Sequence, residues 1–447
     1  MNIQTVQFPH ILETRDLVAL NDFLSHTAFV ISHKNESIET LLRVLWYIPV
    51  NSTIIVVTNC LESAREELAA ALKTRLADHR QTYLIHQKDH TIAELFKAVG
   101  VPQILGKDGK VRNGKGEGMY IGALATQQLG YLRWLIFYDA DNFVPSALLE
   151  YTFALCRLFT TTPQAPSSHA YDALMTSAQF YRPQTPALHN VRICWSSKPD
   201  MKNLNLETRV LGRTSKVVSP FFDTLLEEWF GIQNHPITSS NAGEQGMTVR
   251  TATTLRFSSG FSVETFQLLD LFSYALTEED QGAETIFQQY LSKSPHFHEK
   301  KGERHIKKMI EESLSCFFHF EPILPDRLKA QLHDAYSELR LERSDPIIYP
   351  ALCQLPLARV GISMDTYALF LKETQLGQAT IEIEPSDLLT TDIPYHPLLL
   401  SEVAPQDLLI TETSHQSLLT LEGPSPDLLL TDVTCQDVLS SDILIAD

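Results

Sequence analysis

Cysteines, long apolar runs and an excess of basic residues are scarce in this sequence or missing from it. Its 447 residues include 6 cysteines without C-x-x-C spacing, which argues against a disulfide framework and against a zinc knuckle. No apolar stretch approaches the roughly 18 residues that a membrane-spanning helix needs. Residues 1–5 lack the basic and apolar segments of a signal peptide. We therefore expect a cytoplasmic protein with reduced thiols and no membrane partner.

Acidic residues outnumber basic ones, but the excess is concentrated at one end of the chain. The net charge is −18, and residues 381–447 contain 13 acidic side chains and no lysine or arginine. Without this segment the remaining residues carry a net charge of about −5. A protein that binds nucleic acid generally needs a basic face for the phosphates, so the composition predicts no nucleic-acid partner.

The same acidic segment repeats every ten residues. A Leu-Leu or Val-Leu pair follows each of Asp387, Pro397, Asp407, Ser417, Asp427 and Asp437. This tandem repeat favours a disordered acidic appendage, because prolines and like charges recur throughout it. Stacking into a small solenoid, or presentation of the leucine pairs to a partner, are the alternatives.

Short β-branched apolar runs alternate with helical patterns in the first part of the chain. Residues 28–32, 52–58 and 81–86 resemble strands buried on both faces, and residues 37–47 and 63–78 between them have a helical pattern. This order predicts an α/β fold with a mostly parallel sheet and flanking helices. Farther on, the patterns predict strands at 131–138 and 191–195 and helices at 144–160, 221–230, 264–276, 282–291 and 303–316.

Polar side chains follow several of the predicted strands. They occupy residues 34–36, 87–89 and 139–141. Ligands of parallel α/β sheets gather beyond the carboxyl ends of the strands, so these residues are candidates for a binding site. Asp139 and Asp141 are two residues apart and would face the same side of a continuing strand, where they could hold a divalent cation beside a diphosphate. The alternative is a polar strand end that opens a turn.

A glycine-rich segment precedes this pair of aspartates. Gly114, Gly116 and Gly118 surround Lys115 and Glu117. Backbone amides in such a turn can approach an anion while the ammonium group neutralises it. The segment does not have the spacing of a P-loop. It is either an anion-binding turn or a plain loop.

Six segments in this order resemble the motif series of the mannosyl-3-phosphoglycerate synthases. They are residues 34–36, 85–89, 114–119, 139–142, 240–244 and 295–299. The resemblance spans about residues 25–320 and implies a GT-A glycosyltransferase fold. It also implies transfer of mannose from GDP-mannose to 3-phospho-D-glycerate with retention at the anomeric carbon, dependent on Mg²⁺, Mn²⁺ or Co²⁺.

The resemblance also implies roles for individual residues. Asp141 would be the principal metal ligand, and a histidine, either His296 or His298, would be the second. Lys115 and Glu244 would join Asp141 as catalytic residues. The nucleotide-sugar contacts would come from Lys34, Asn35, Glu36, Gln87, Lys88, Asp89, Gly114, Lys115, Gly116, Glu117, Asp139 and Ala140.

A phosphorylated carboxylate acceptor needs cations and backbone donors. Arg192, Lys198 and Arg213 are the candidate cations, and Thr214 could add a hydroxyl group. Each cation could equally be a solvated surface residue. A second candidate is Asn241, Ala242 and Gly243, which precede a predicted helical turn whose amides could bind an anion. An ordinary helix cap at Asn241 is the alternative.

These patterns divide the chain into three parts. A GT-A domain is predicted at 25–320, with a nucleotide-binding half at 25–142 and an acceptor-binding half at 143–320. A helical extension at 321–378 and the acidic tail at 381–447 follow it. Other readings remain open: a glucosyl-3-phosphoglycerate synthase or another sugar-nucleotide transferase, or a catalytically silent nucleotide-sugar binder whose tail recruits a partner. The sequence also allows a homodimer.

Overall fold

A computed structural model describes most of the first 369 residues. It covers residues 1–8, 17–34, 36–76, 81–142, 144–160, 188–195, 197–200, 205–208, 211–277, 284–296 and 302–369. Asn35, His298 and the acidic tail therefore lie outside the described residues. Residues 1–374 form one compact unit. The predicted division at residue 142 and the separate extension at 321–378 stay predictions.

Strands and helices alternate through this unit. The strands are β1 (Asn2–Val6), β2 (Thr27–His33), β3 (Thr53–Thr58), β4 (Gln81–His86), β5 (Trp134–Asp139), β6 (Leu188–Cys194), β7 (Ser197–Asp200), β8 (Asn205–Thr208), β9 (Gln245–Thr248), β10 (Phe257–Ser258), β11 (Thr285–Leu291) and β12 (Ile348–Tyr349). The helices are α1 (Leu17–Ser25), α2 (Ile38–Trp46), α3 (Glu62–Leu76), α4 (His90–Ala98), α5 (Lys115–Leu129), α6 (Pro145–Thr160), α7 (Arg213–Phe230), α8 (Val249–Thr254), α9 (Ser262–Thr277), α10 (Glu303–His319) and α11 (Asp326–Glu338).

The described strands build one large sheet and two small ones. The large sheet has eight strands in the order β1-β11-β6-β9-β5-β2-β3-β4. All neighbouring pairs run parallel except those of β9, which is antiparallel to both β5 and β6. The prediction of an α/β fold with a mostly parallel sheet and flanking helices is confirmed.

Apolar residues on both faces of the sheet explain why the strands are nearly continuous apolar runs. Ala28 and Val30 of β2 pack into a cluster with α4 and α5, whereas Phe29 and Ile31 pack into a second cluster with α2, α3 and α6. Successive side chains on a strand point to opposite faces, so a strand covered on both sides must be apolar at every position. A third cluster joins α7, α9, α10 and α11.

Two expectations about local structure were wrong. The segment 282–291, predicted as a helix, contains strand β11, which pairs in parallel with β1 on one side and β6 on the other. Its residues Thr285–Leu291 include β-branched and aromatic side chains that fit a buried strand. The segment after Asn241 is not a helical turn but strand β9. In both places pairing within the sheet overrides a local pattern that was ambiguous.

The helices of the described residues include none that is long and apolar enough to cross a membrane. The helical content predicted after residue 321 is present in α11 and several short 3₁₀ turns, together with strand β12. β12 pairs with β10, so this segment packs back onto the rest of the unit.

Candidate active site

The reversed strand β9 explains how the site is assembled. The parallel strands β2, β5, β6 and β11 all end at one edge of the sheet, and β9 runs the other way, so β9 begins at that same edge. Asp139 is the last residue of β5, and Glu244 immediately precedes β9. The backbone carbonyl of Glu244 accepts a hydrogen bond of 3.1 Å from the amide of Ile193 in β6. Residues far apart in sequence thus share one edge.

Lys115 is the central cation at this edge. It is the first residue of α5, and its Nζ atom donates to Oδ1 of Asp139 and, over 2.6 Å, to Oε1 of Glu264. Burial by itself lowers the pKa of Lys115, but the two carboxylates outweigh it and raise the pKa above its ordinary value. Lys115 is therefore a permanently charged group at neutral pH.

Glu264 is a candidate site residue that the sequence did not point to. It lies in the first turn of α9, and its side chain is 3% exposed. Burial raises the pKa of Glu264, and the ammonium of Lys115 opposes that rise. The available signal was a charged residue inside an apolar helical segment, because a buried carboxylate needs a partner. The sequence could not have named Lys115 as that partner.

The glycine-rich segment forms the start of helix α5, and its predicted contact with an anion stays a prediction. The amide of Gly116 donates to the carbonyl of Gly260 over 2.9 Å, and a Cβ atom on Gly116 would lie 1.9 Å from the carbonyl oxygen of Ser258. Glycine at this position allows α5 to approach that backbone closely. The nearby Glu117 is also structural: its carboxylate accepts hydrogen bonds from the amide of Gly260 and from the hydroxyl of Tyr349. These partners account for the side chain of Glu117 without a ligand, and its nucleotide contact stays a prediction.

Glycine is also required beside Asp139. A Cβ atom on Gly243 would lie 2.1 Å from Oδ2 of Asp139. The loop before β9 therefore packs directly against the carboxylate at the end of β5. Ala140, the next residue after Asp139, is buried in the apolar core, so only its backbone is available for the predicted nucleotide contact.

Glu244 is fully buried at the centre of this edge. Its Oε1 atom accepts a hydrogen bond of 3.2 Å from Asn142, and its Oε2 atom has no hydrogen-bond partner among the described residues. Burial, together with the negative charges of Asp139 and Asp141, raises the pKa of Glu244 to about 8, although Lys115 opposes the rise. Burial is the largest cause of this rise and the neighbouring carboxylates add to it, so a divalent cation bound nearby would lower the pKa of Glu244.

The imidazole of His296 lies near the carboxylate of Glu244 and stacks on the ring of Trp195. Its Nδ1 atom lies 3.9 Å from Oε1 of Glu244, and its ring stacks on Trp195 with centroids 3.6 Å apart. The turn before His296 is fixed by Glu150, whose carboxylate accepts from the amides of Lys293 and Ser294 over 2.5 and 2.6 Å. Of the two predicted histidine ligands, the structure brings His296 to the site.

Asp141 is half-buried and belongs to the same edge, two residues after the end of β5. Its charge contributes to the raised pKa of Glu244. Within the described ranges no three histidine, cysteine, aspartate or glutamate side chains converge as a metal cluster. The donor set of aspartate, glutamate and imidazole nevertheless suits Mg²⁺, Mn²⁺ or Co²⁺.

A small cavity lies beyond the ends of β2 and β3. It has a volume of about 250 Å³ and is lined by His33, Lys34, Glu36, Ile38, Cys60, Leu61, Ala64 and Leu68. The carboxylate of Glu36 accepts a hydrogen bond of 2.9 Å from the amide of Lys34. His33 ties the strand end together through a hydrogen bond of 2.9 Å between its Nδ1 atom and the hydroxyl of Thr58. Two predicted nucleotide-binding residues, Lys34 and Glu36, therefore line a concave surface.

The predicted turn at 87–89 has structural partners. Gln87 is buried and donates to the carbonyls of Arg112 and Gly114, which anchors the segment before α5. Asp89 caps α4 by accepting from the amide of Thr91 over 2.8 Å. Lys88 lies 3.7 Å from the carboxylate of Asp108. These protein partners account for the side chains of Gln87 and Asp89 without a ligand, and their nucleotide contacts stay predictions.

The predicted acceptor residues separate into different environments. Arg192 is fully buried, and its guanidinium donates to the carbonyls of Ser239, Ser240 and Glu264. Arg192 is therefore not a solvated surface cation, its guanidinium is engaged by protein carbonyls, and its acceptor role stays a prediction. Arg213 is exposed at the start of α7.

Arg213 and Thr214 begin α7, and Arg213 makes an ion pair of 2.6 Å with Glu303. Thr214 is buried. Lys198 belongs to β7, and its side chain lies outside the described part of the structure.

Asn241 connects the loop before β9 to two helices. Its side-chain amide donates to the hydroxyls of Thr265 in α9 and Ser313 in α10, over 2.9 and 2.7 Å. Ala242 closes a turn by donating its amide to the carbonyl of Ser239. Neither the predicted helical turn nor its alternative, a helix cap at Asn241, is present, and these contacts fix a loop in front of β9.

A mostly parallel sheet thus places a lysine, several carboxylates and a concave strand-end surface together, an arrangement that suits the class predicted from the sequence, a glycosyltransferase. A sequence profile described as mannosyl-3-phosphoglycerate synthase matches residues 5–363. The chain belongs to the mannosyl-3-phosphoglycerate synthase family.

Two relatives and one solved structure illustrate the similarity. The chain is 30% identical over 313 residues to a mannosyl-3-phosphoglycerate synthase of Pyrococcus furiosus, covering 67% of this chain and 73% of the relative. It is 28% identical over 342 residues to that of Aeropyrum pernix, covering 73% and 81%. Glucosyl-3-phosphoglycerate synthase from Mycobacterium tuberculosis, in complex with Mn²⁺, UDP-glucose and phosphoglyceric acid, aligns with a TM-score of 0.47 and 15% identity, covering 78% of this chain and 98% of that one. A similarity as distant as this last one does not define ligands or residue roles.

Proposed function

We propose that this enzyme transfers mannose from GDP-mannose to 3-phospho-D-glycerate in a reaction that requires a divalent metal. The observation that carries the proposal is the convergence of Lys115, Asp139, Asp141 and Glu244 at one sheet edge, in a chain that belongs to this family. The names of the two relatives supply the reaction. The products are mannosyl-3-phosphoglycerate and GDP.

In this proposal the nucleoside enters the cavity beyond β2 and β3. Lys34 and Glu36 line that cavity, and Glu36 is the residue best suited to accept hydrogen bonds from the base. The diphosphate then extends toward the start of α5. Lys115 is charged there at neutral pH, because its two carboxylate partners raise its pKa. An ammonium aimed at the departing phosphate stabilises the negative charge that develops as the glycosyl bond breaks.

The residues that would hold the metal are Asp141 and His296, with Asp139 beside them. The negative charges of Asp139 and Asp141 beside the buried carboxyl group of Glu244 support a cation at this edge. A bound Mg²⁺, Mn²⁺ or Co²⁺ would supply Lewis-acid stabilisation of the diphosphate leaving group. The stacking of Trp195 on His296 and the hydrogen bonds of Glu150 to the preceding turn fix the imidazole in place.

Glu244 would face the sugar. Because its pKa is raised to about 8, a large share of this carboxyl group carries a proton at neutral pH when no cation is bound. In that form it donates as well as accepts hydrogen bonds, and in the ionised form it accepts two from sugar hydroxyls. Its buried position would orient the hexose ring against the edge of the sheet.

The acceptor would lie on the side of β6 and α7. Arg213 and Lys198 are the proposed cations for its phosphate and carboxylate, and Arg213 would have to leave its ion pair with Glu303. In the proposed reaction the acceptor hydroxyl attacks C1 from the face that the diphosphate leaves. The C1–O bond to the phosphate breaks, the new C1–O bond forms, and the leaving phosphate oxygen takes the acceptor proton. Close positioning of both substrates would supply much of the rate.

The direct test is an assay of the purified full chain. GDP-mannose, 3-phosphoglycerate and Mg²⁺ or Mn²⁺ should yield a phosphorylated mannosyl product, detected by mass spectrometry, with NMR reporting the anomeric configuration. Parallel reactions with UDP-glucose and GDP-glucose test the donor. Turnover with a glucose donor alone would replace mannose with glucose in the proposal. Nucleotide binding without any product would support a silent binder.

A further inference from the structure

Lys115 lies between an outer and an inner carboxylate. Asp139, the outer one, is 30% exposed at the end of β5, whereas Glu264, the inner one, is 3% exposed in α9. The ammonium donates to one oxygen of each. The two carboxylates therefore differ in what else can reach them: Asp139 is open to a ligand, and Glu264 faces only protein.

Although Asp139 is partly exposed, both of its carboxylate oxygens have close protein neighbours in this arrangement. Its Oδ1 atom accepts from Lys115, and its Oδ2 atom lies against the Cα of Gly243, where an added Cβ would be only 2.1 Å away. A metal ion that took Asp139 as a ligand would have to compete with Lys115 for it.

Glu264 provides an alternative partner for the lysine. Its Oε1 atom is already 2.6 Å from Nζ, and its Oε2 atom has no hydrogen-bond partner among the described residues. The start of α9 is held in place by Arg192, which donates to the backbone carbonyl of Glu264. Lys115 can thus turn fully to Glu264 without losing its charge compensation, because a second acceptor oxygen is available on a rigid element.

We propose that Glu264 is a positioning residue that retains Lys115 in the donor site while Asp139 passes from the lysine to the metal ion. The idea rests on the proposed metal-dependent function. In the metal-free enzyme the ammonium of Lys115 pairs with Asp139, the carboxylate that the metal ion would take. When the metal binds, Glu264 keeps the lysine beside the diphosphate. Without Glu264 the lysine would depend on Asp139 alone and would oppose metal binding.

The test is a double-mutant cycle on Mn²⁺ affinity, measured in the full chain without nucleotide by calorimetry or by the electron paramagnetic resonance signal of free Mn²⁺. Lys115→Met should bind Mn²⁺ more tightly than the wild type, because the competing ammonium is gone. Glu264→Gln should bind more weakly, because Lys115 then pairs only with Asp139. In the Lys115→Met background the Glu264→Gln change should lose most of its effect. A coupling of about tenfold in dissociation constant is expected for residues in one ion-pair network.

Glu94→Gln is the matched control. It removes an exposed carboxylate of α4 whose ion pairs, among the described residues, are with Lys97 and His90 of the same helix. It should leave Mn²⁺ affinity unchanged. Circular dichroism and thermal unfolding show whether each variant is folded. If Lys115→Met does not fold, Lys115→Gln gives the same cycle, because its amide still bonds to both carboxylates. If Glu264→Gln does not fold, Glu264→Asp withdraws the carboxylate while keeping its charge.

The outcomes separate this inference from the proposed function. Equal effects of Glu264→Gln with and without Lys115 would mean that Glu264 acts on the metal only through its own charge, and that result would overturn the inference. Unchanged Mn²⁺ affinity in Lys115→Met would overturn it as well. If the wild type binds no Mn²⁺ with or without GDP and shows no turnover, the proposed function fails first. Normal turnover with no coupling leaves the proposed function intact and removes only the role of Glu264.

Discussion

Lys115 and Arg192 are both mostly buried cations, yet their surroundings give them different roles. Lys115 faces two carboxylates at the open edge of the sheet, and one of them is partly exposed. Arg192 faces three backbone carbonyls and is fully covered by protein. Burial lowers the pKa of Arg192 to about 10, whereas the carboxylates beside Lys115 raise its pKa above the ordinary value. A buried cation can interact with a ligand when the groups that pair with it are themselves partly exposed, as Asp139 is beside Lys115.

The largest effect is expected at the open edge of the sheet, for the substitution Asp141→Asn. The substitution keeps the shape of the side chain and removes the charge of the proposed metal ligand. We expect the turnover number to fall by about 10³-fold or more, with the thermal unfolding temperature nearly unchanged. Steady-state assays at several Mn²⁺ concentrations would measure the loss. Near-normal activity would mean that the metal binds elsewhere.

The second prediction concerns the lysine itself. Lys115→Ala removes the ammonium aimed at the proposed diphosphate, and kcat should fall by about 10²- to 10³-fold. Lys115→Arg should recover part of the lost rate, because it restores the charge in a different shape. Quench-flow or steady-state kinetics with GDP-mannose would separate kcat from KM. If only KM rises, Lys115 contributes to binding and not to the chemical step.

The buried cation should behave in the opposite way. Arg192→Met leaves the carbonyls of Ser239, Ser240 and Glu264 without their donor, so the free energy of unfolding should fall by about 3–4 kcal/mol. Activity per folded molecule should change by only a few-fold. Urea unfolding monitored by circular dichroism, with activity normalised to the folded fraction, would measure both. A large loss of kcat in fully folded protein would restore Arg192 as a candidate substrate contact.

A pH prediction follows from another buried group, His189 of β6. Burial lowers the pKa of His189 to about 4 from the ordinary 6.5, although a hydrogen bond to Gln288 opposes the shift. Between these values the unfolded chain binds the proton and the folded chain does not. His189 therefore contributes stability that is fully present above pH 6.5 and is lost as the pH falls toward 4, by about 3 kcal/mol at most.

His189→Gln removes this titration and should flatten the stability curve over that pH range. Urea unfolding of both proteins at half-unit pH steps would provide the comparison. Parallel curves for the two proteins would show that other groups cause the acid dependence.

The smallest effect is expected at the end of the chain. Deletion of residues 381–447, the proposed acidic appendage, should leave kcat and KM within about twofold, since this segment carries no cation for a phosphorylated substrate. Yield of purified protein and steady-state kinetics would be compared with the full chain. A collapse in the amount of protein recovered from the supernatant would contradict the appendage interpretation.

Much of the site could be located from the sequence because chemistry and topology agree there. Asp139, Asp141, Lys34 and Glu36 follow apolar strands, and parallel strands must end at the same edge. That argument also limits what can be predicted, because it assigns polar residues to an edge without saying which of them face inward. Gln87, Glu117 and Arg192 look like ligand-binding residues in sequence but bond to protein groups in the structure.

Other features depend on contacts between distant segments. Lys115 and Glu264 are separated by 149 positions, so no local pattern links them. The direction of β9 is decided by its neighbours β5 and β6, and that direction brings Glu244 to the edge. The segment 282–291 was assigned to a helix because its strand character becomes clear only when β1 and β6 flank it.

The sequence by itself determined the class of fold, the edge of the sheet that carries the polar residues, and the family, because apolar periodicity and the spacing of short motifs are local properties of the chain. The tertiary structure alone decided which charges are neutralised and by what. Lys115 is balanced by two carboxylates from separate elements and Arg192 by backbone carbonyls, whereas Lys115 only partly offsets the burial of Glu244. Electrostatic interactions act through space, and the folded path of the chain sets those distances.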